Sequence, residues 1–350
     1  MPKDTLRVAR IKDVAERASV STAAVSYVLN NTGSVSKETA ERVLQAVKEL
    51  NYRPNSIAKS LKTNKTRSIG VIVEDITVFN APEIINGINE WADNEGYSII
   101  LSNLRLINRI GNNLRDISKY QGLVNRSLQE MYSKRVDGLI YVAVHSRDVK
   151  DLVEDVKKPI VLAYCYSTEP AGCYVTYDNR TTAYHATKYL LNAHHTEIGF
   201  ITGPSELETT IYRLRGCADA LEEAHLSLSK ESVVEGDWEY ESGYNGARDL
   251  LARKEPSAIC AMNDLMALGA MAYCQENGVG VPEKISVLGF DNRESSRYFV
   301  PQLTTMAMPL NEIGRISTKM IMSLLNNEEM LNKHVRLPCA LVERNSVRHL

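Results

Sequence analysis

The segment 11–30 reads IKDVAERASVSTAAVSYVLN and contains two short stretches in which apolar residues recur three or four positions apart. This spacing places them on one face of an α-helix: Ile11, Val14, Ala15 and Ala18 in the first stretch, and Val25, Val28 and Leu29 in the second. Ser19-Val20-Ser21 separates the two stretches. Two short helices joined by a turn of about three residues form the helix-turn-helix arrangement.

A third helix is predicted where the residues from Val43 to Leu50 continue the helical spacing. Ser21 and Ser36 each precede a periodic stretch, and a serine oxygen at that position can accept hydrogen bonds from free N–H groups of the first turn. Pro54 ends the third helix, because the residue before a proline disfavours the helical conformation. We therefore predict a small all-α domain at the start of the chain.

Positive charge is concentrated in this head. The 350 residues carry a formal net charge of −2, yet residues 1–68 contain 13 Lys and Arg against 6 Asp and Glu. A basic head on an acidic body is typical of a protein that docks one end on a polyanion. The outward face of the second helix is small and uncharged, and it consists of Thr22, Ala23, Ser26, Tyr27 and Asn30. Such a face can enter the major groove of DNA and bring hydroxyl groups to base edges or phosphates.

From Ile69 onward, β-rich stretches alternate with amphipathic helical patterns. The predicted strands are Ile69–Val73, Ser98–Ser102, Gly138–Ala143, Ile160–Ala163, Ile198–Thr202, Ala258–Met262, Val287–Phe290 and Thr304–Met308. The predicted helices are Glu83–Asn94, Leu123–Lys134, Thr181–Asn192, Tyr212–Glu223, Tyr244–Arg253 and Leu265–Glu276. This alternation indicates parallel sheets. A body of this size exceeds one ordinary α/β unit, so we expect two lobes with a cleft between them.

Composition limits the classes of protein that this chain can be. With 44% hydrophobic and 24% charged residues, it is neither a disordered chain nor a small protein stabilised mainly by disulfide bonds. No apolar run approaches the ~20 residues needed to cross a bilayer, and the charged N-terminus lacks a secretory signal. We therefore expect a cytoplasmic protein without a membrane partner. The six cysteines form no C-x-x-C pair and no zinc spacing, so we expect reduced thiols, mostly in the core, and no metal.

An enzyme is the main rival class. The sequence contains no G-x-S-x-G elbow, P-loop, H-E-x-x-H motif or glycine fingerprint, and Gly278-Val279-Gly280 does not open a helix. We therefore expect neither catalysis nor a cofactor. A solute-binding protein without a DNA function would need export and would have no basic head, and both conditions conflict with the sequence.

The head closely resembles that of the lactose and galactose repressor (LacI/GalR) family of transcriptional regulators. The matching residues are Ile11 to Ser21, Ala24-Val25-Ser26, Val28-Leu29-Asn30, Val35-Ser36, Thr39, Arg42-Val43, Leu50 to Asn55, Ile57-Ala58, Ser60-Leu61 and Ile69-Gly70-Val71. The resemblance implies a repressor that binds a palindromic double-stranded DNA operator as a homodimer, controlled by a small-molecule effector such as a sugar or glycoside. The alternative is a corepressor-dependent or activating regulator that responds to a non-sugar effector such as a nucleobase.

The resemblance divides the head into a DNA-binding domain, residues 1–54, and a hinge helix with linker, residues 55–67. In the family, this hinge helix forms on DNA and pairs with its twin across a dimer axis. Leu61 matches the leucine that enters the minor groove, where an apolar wedge can unstack a base step. Asn55 opens the matching segment, and the small side chain of Ala58 would let two such helices approach closely. The alternative is an ordinary interdomain linker with a helical tendency.

The same match assigns residues to the DNA contact. Thr22 and Ala23 lie where the family chooses its operator. The residues expected near the DNA backbone are Ser21, Ser26, Asn30 and Tyr52. Tyr27 stands where the family usually has arginine, and tyrosine cannot bind guanine through two hydrogen bonds as arginine does. The operator sequence of known members therefore does not transfer to this chain.

Residues 68–350 match the effector-binding and dimerisation domain of the family, which has the fold of periplasmic sugar-binding proteins. Its two α/β lobes would be joined by three crossings near Tyr177, Met308 and Leu337. The N-lobe would comprise residues 68–176 and 309–336, and the C-lobe residues 177–307 and 337–350. The expected architecture is a small all-α helix-turn-helix head followed by a two-lobed body with parallel sheets.

Local motifs match four residues to the effector cleft, and two further candidates lie where the chain departs from the family. The polar candidates are Arg213, Asn263 and Asp291, and Trp238 matches an aromatic residue that packs on the ligand. Tyr164 stands where sugar-responsive members often keep an aspartate. Phe79 lies in a region that lacks the usual Asn-Pro-Phe order. These aromatic replacements favour a flatter or less hydroxylated effector, or a larger glycoside that stacks.

Overall fold

The structure is a computed structural model that describes residues 9–30, 32–52, 65–110, 120–153, 156–169 and 172–350. The chain divides into two compact units, Met1–Thr66 and Arg67–Leu350. The first unit contains the helices α1 (Ile11–Ala18), α2 (Thr22–Asn30) and α3 (Lys37–Glu49). Their apolar faces share one core, in which Val14, Val25 and Val43 are fully buried. The predicted helical head is confirmed.

Serine side chains begin two of these helices. Ser21 Oγ accepts a hydrogen bond from the Ala24 N–H at 3.2 Å, and Ser36 Oγ accepts one from the Thr39 N–H at 3.3 Å. Both predicted caps are therefore present. Ser19 ends α1 in the left-handed conformation, with φ 54°, which turns the chain toward α2.

The second unit contains two six-stranded sheets, one in each lobe. The N-lobe strands are β1 (Ser68–Val73), β2 (Ser98–Asn103), β3 (Gly138–Val142), β4 (Ile160–Ala163), β5 (Cys173–Tyr177) and β11 (His334–Leu337). They lie in the order β11-β5-β4-β3-β1-β2, and all neighbouring strands are parallel.

The C-lobe strands are β6 (Ile198–Thr202), β7 (Val233–Glu235), β8 (Ala258–Ala261), β9 (Ser286–Asp291), β10 (Thr304–Ala307) and β12 (Ala340–Val342). Their order is β12-β10-β9-β8-β6-β7. The pairs are parallel except β10 with β12, which is antiparallel. The prediction of parallel sheets is confirmed, with this one edge as the exception.

Helices cover the sheets. The N-lobe helices are α4 (Asn80–Asn94), α5 (Ile107–Ile110), α6 (Gln121–Ser133), α7 (Lys150–Val153) and α12 (Leu310–Leu325). The C-lobe helices are α8 (Asn179–Asn192), α9 (Glu208–Glu223), α10 (Tyr240–Arg253) and α11 (Asp264–Glu276), with short 3-10 turns at Lys230–Ser232 and Glu294–Arg297. The chain passes between the lobes after β5, after β10 and after β11.

Several elements differ from the sequence-based prediction. Helix α4 begins at Asn80 rather than Glu83, because Pro82 is tolerated in a first turn whose N–H groups have no partner within the helix. The strands β5, β7 and β11 and the helix α12 were not predicted. In α12, Ser317 and Thr318 are fully buried, and these small polar residues interrupt the apolar period that marks a buried helix face.

Helices α4 and α12 touch through their backbones. A Cβ atom on Gly87 would lie 2.1 Å from the Asn311 carbonyl oxygen, and one on Gly314 would lie 2.1 Å from the Ile84 carbonyl oxygen. Neither position has room for any side chain. This close approach holds α12, which follows β10, in direct contact with α4, which follows β1.

The cysteines are all free thiols, and five of the six are buried. This agrees with the predicted core location. Among the helices of the described residues, none combines the length and apolarity that a membrane span requires.

Candidate functional site

The N-terminal end of α2 presents a small, uncharged surface to solvent. Thr22 and Ala23 are exposed, and half of the Tyr27 side chain is accessible. Val25 lies on the opposite face in the core of the head. Because buried and exposed residues fall on opposite sides of α2, the helix can enter a groove without disturbing the packing that holds it.

The other predicted DNA contacts of the head have partners of their own. Asn30 Nδ2 donates to the Ser26 carbonyl oxygen at 2.8 Å and to Ser26 Oγ at 3.3 Å. Tyr52 packs against the core of the head, and its burial raises the pKa of the phenol. Ser21 is the cap described above. The remaining predicted contacts, Asn55, Ala58 and Leu61, lie outside the described residues.

In the second unit, a cleft of about 290 Å³ opens between the two lobes. All six residues predicted to contact the effector line it: Phe79, Tyr164, Arg213, Trp238, Asn263 and Asp291. This volume lies at the small end of the roughly 300–1,000 Å³ typical of ligand sites. Phe79 and Tyr164 come from the N-lobe, whereas the other four come from the C-lobe, so a bound ligand would contact both lobes at once.

Arg213 lies at the floor of the cleft and is only 2% exposed. Its Nε donates to Asn179 Oδ1 at 2.9 Å, its Nη2 donates to the Tyr177 hydroxyl at 3.1 Å, and its Nη1 donates to the Met262 carbonyl. Its guanidinium carbon lies 3.9 Å from the Phe290 ring centroid. Three of five donor hydrogens are thereby used, which leaves two for a ligand.

Trp238 forms one wall of the cleft and has a strained backbone, with φ 74°. Its indole lies directly over Gly203, where an added Cβ would come within 2.0 Å of the ring. Asn263 Nδ2 donates to the Trp238 carbonyl oxygen at 2.7 Å, while Asn263 Oδ1 caps α11 through the Met266 N–H at 2.8 Å. Asn263 therefore holds the tryptophan loop in place. The buried Trp238 Nε1 has no hydrogen-bond partner among the described residues.

Asp291 lies at the end of β9, also with a positive φ, 112°. Its Oδ2 accepts a hydrogen bond from Arg293 Nε at 3.1 Å. Burial raises the pKa of Asp291, although the neighbouring Arg293 opposes the shift. The Arg293 guanidinium carbon lies 4.1 Å from the centroid of the Phe79 ring, so this contact joins the two lobes.

Tyr164 is the third cleft residue with a left-handed backbone, at φ 65°. Its hydroxyl donates to Met308 Sδ at 3.2 Å, and its ring centroid lies 5.2 Å from that of Tyr177. Burial raises the pKa of Tyr164 well above its ordinary value, so the hydroxyl stays protonated. Tyr164 thus offers a ligand a fixed aromatic surface rather than a charge.

The cleft also contains residues that the sequence analysis missed. They are Thr77, His145, Tyr177, Thr209, Glu239 and Arg293, together with several apolar side chains. The His145 ring centroid lies 6.2 Å from that of Trp238. Burial lowers the pKa of His145 to about 4, and the positive charge of the nearby Arg147 is the second largest cause of this shift. The imidazole is therefore neutral at pH 7. His145 follows strand β3, and residues that follow parallel strands are the usual ligand contacts of such sheets.

The Arg213, Asn263 and Asp291 side chains of this cleft are held by internal hydrogen bonds, and its aromatic side chains offer flat surfaces to a ligand. In the part of the chain that the structure describes, no group of His, Cys, Asp or Glu side chains could hold a metal ion.

Comparison with known proteins places both units in one family. The model of bacterial regulatory proteins of the lacI family matches residues 10–55, and a periplasmic binding protein-like domain matches residues 187–347. The HTH-type transcriptional repressor PurR of Klebsiella pneumoniae is 36% identical over 344 residues, 97% of each chain. PurR of Salmonella enteritidis is 35% identical over the same length.

Solved structures agree with these sequence matches. The lac repressor dimer bound to operator and the anti-inducer ONPF superimposes with a TM-score of 0.82 and 27% identity, covering 98% of this chain and 100% of that chain. The complex of the transcriptional regulator CelR with cellobiose superimposes with a TM-score of 0.67 and 26% identity, covering 97% of this chain and 99% of that chain. The predicted family and fold class are confirmed. The chain therefore belongs to the lacI family of bacterial regulatory proteins and is a DNA-binding transcriptional regulator rather than an enzyme.

Proposed function

We propose that this protein is a homodimeric repressor that binds a palindromic operator and is controlled by a small molecule in the interlobe cleft. The observation that carries the proposal is the cleft itself, where aromatic walls and a buried arginine converge from elements far apart in the chain. The dimer is supported by the lac repressor relative, whose structure is a dimer on operator DNA. Because its partner is chromosomal DNA, we place its action in the cytoplasm.

The effector would act through the angle between the lobes. A ligand that contacts Phe79 on one lobe and Arg213 on the other favours one interlobe angle over another. We propose that this angle determines how the two hinge segments around Leu61 meet in the dimer. The coupling between effector and operator would be about 1–3 kcal/mol, in the range typical of allosteric proteins.

We infer that the effector is a small, uncharged or anionic molecule with a flat face. Tyr164, Trp238 and Phe79 supply aromatic surface, and the carboxylate of Asp291 is already occupied by Arg293. Few free carboxylates remain to bind the several hydroxyl groups of a sugar. A planar nitrogen heterocycle such as a nucleobase fits this chemistry best. A glycoside is the second candidate, supported by the cellobiose bound to CelR.

The DNA part of the proposal is tested by operator titration. We expect Leu61→Ala to weaken binding to a selected palindrome by at least about tenfold, because an apolar wedge in the minor groove is worth a few kcal/mol, and to leave random duplex binding unchanged. Affinity should also fall steeply with salt, on the order of 10³-fold between about 50 and 200 mM, because the basic head displaces counterions.

Leu331→Ala is the matched control for this titration, because Leu331 is fully exposed in the body. It should bind both duplexes like the unmodified protein. Equal losses on palindrome and random DNA for Leu61→Ala would contradict the hinge role, and a flat salt response would contradict the head as docking surface.

The effector class is tested by thermal unfolding with a panel of nucleobases, nucleosides, monosaccharides and glycosides. A ligand of the folded cleft raises the melting temperature, because it binds the native state alone. We expect a nucleobase or nucleoside to give the largest shift. A shift produced by glycosides alone would select the second candidate.

A further inference from the structure

A buried ion pair lies directly behind the N-lobe wall of the cleft. Glu74 follows β1 and has no exposed surface. Arg147 Nη2 donates to Glu74 Oε1 at 2.5 Å, and Arg147 Nη1 donates to Glu74 Oε2 at 3.1 Å. The Tyr141 hydroxyl adds a third hydrogen bond to Glu74 Oε1 at 2.6 Å. The carboxylate is thus held by two side chains that are far from it in the sequence.

A buried ion pair by itself adds little to stability, because removing two charges from water costs about as much as their attraction returns. The contacts with the backbone show what this pair fixes. Glu74 Oε2 accepts the Val144 N–H at 2.8 Å, and Arg147 Nη1 reaches the His145 carbonyl oxygen at 3.5 Å. Together the two charged groups anchor residues 144–147, which we name the His145 loop.

The His145 loop is one of the places where the N-lobe meets the C-lobe wall of the cleft. It places the His145 ring opposite Trp238. The carbonyl oxygen of Ser146, the next residue, accepts from Thr209 Oγ1 of the C-lobe at 3.5 Å. Trp238 lines the same cleft, and its buried Nε1 has no hydrogen-bond partner among the described residues.

We propose that Glu74, Arg147 and Tyr141 are positioning residues that hold the His145 loop against Trp238 and thereby fix the width of the effector cleft. The clamp formed by His145 and Trp238 selects a flat ligand that fits against the two rings. This inference rests on the proposed effector function of the cleft. The inference adds to that function the buried residues behind the cleft wall that determine which ligand shapes the cleft accepts.

The chain has a built-in probe for this arrangement, because Trp91 and Trp238 are its two tryptophans. In a Trp91→Phe background, fluorescence reports Trp238 alone, and acrylamide quenching reports how far the His145 loop covers it. We expect Glu74→Gln to raise the quenching constant at least about twofold, because the anchor of the loop is lost and the cleft wall opens locally. His145→Ala should give a similar increase by removing the ring itself.

Glu130→Gln is the matched control. Glu130 belongs to the same lobe and also forms an ion pair, with Lys134 Nζ at 2.6 Å, but this pair is exposed and neither residue lines the cleft. Its quenching constant should equal that of the parent. Circular dichroism establishes that each variant is folded before its quenching is compared.

If Glu74→Gln does not fold, the double variant Glu74→Leu/Arg147→Met replaces it, because apolar residues of similar volume often preserve the stability of a buried ion pair. That variant keeps the fold but has no anchor for the loop, so it should show the same increase. A folded Glu74→Gln or double variant that quenches like Glu130→Gln overturns the proposal. Quenching needs neither DNA nor effector, so a failure of operator binding would leave this result standing.

Discussion

Arg213→Met is expected to abolish the thermal shift given by the effector identified in the ligand panel. A ligand at a hundredfold excess over its Kd stabilises the folded protein by about 2.7 kcal/mol, and the variant should lose all of it. The reason is that Arg213 is the buried charged donor at the floor of the cleft, and two of its five donor hydrogens are not used by Asn179, Met262 or Tyr177. Methionine keeps the apolar stem and removes the donors.

The unliganded variant should change much less in stability. Loss of the hydrogen bonds to Asn179 and Tyr177 destabilises it, but the cost of burying a guanidinium also disappears, and the two effects oppose each other. Arg215→Met is the matched control, since Arg215 is exposed on the same helix. It should keep the full shift. An Arg213→Met protein that keeps the shift would show that the effector binds elsewhere.

The second large effect is expected from Gly314→Ala, which should lower the free energy of unfolding by about 3 kcal/mol. The added methyl would lie 2.1 Å from the Ile84 carbonyl oxygen, and this neighbour is backbone rather than a side chain that can rotate. The helices α4 and α12 must separate to admit it. Urea unfolding followed by circular dichroism measures the change.

Gly122→Ala makes the same chemical change in helix α6, where nothing lies within 4 Å of the added atom. This control should stabilise the protein by roughly 0.5–1 kcal/mol, because alanine has the higher helix propensity. A Gly314→Ala protein as stable as the control would mean that the two helices are not held at backbone contact.

The sequence was sufficient for the architecture because the architecture depends on local patterns. Three kinds of pattern can be identified from the sequence without knowing the tertiary structure. They are the helical spacing in the head, serine caps such as Ser36, and strands that consist of continuous apolar runs. The structure differs where the pattern is short or mixed. Strand β7 has three residues, and β11 has four that are exposed or partly buried. Such edge strands form through pairing with a neighbour, which the sequence does not show.

Part of the candidate site was also accessible from sequence. Trp238 and Arg213 lie in motifs of the family, and the structure brings them to one cleft. His145 was missed because a single histidine after a strand carries no motif. The ion pair behind it joins Glu74 to Arg147 across a separation of 73 residues. Pairing over such distances depends on the register of β1 and β3, and only the folded sheet reveals it.

The left-handed backbones of Tyr164, Trp238 and Asp291 have a consequence for redesigning the protein as a biosensor. A left-handed backbone is tolerated least by β-branched side chains, so a random library at these three positions should contain many destabilised clones. Thr209 and His145 have no such constraint. A library confined to these two positions should change the effector specificity and leave the strained backbone of the cleft unaltered.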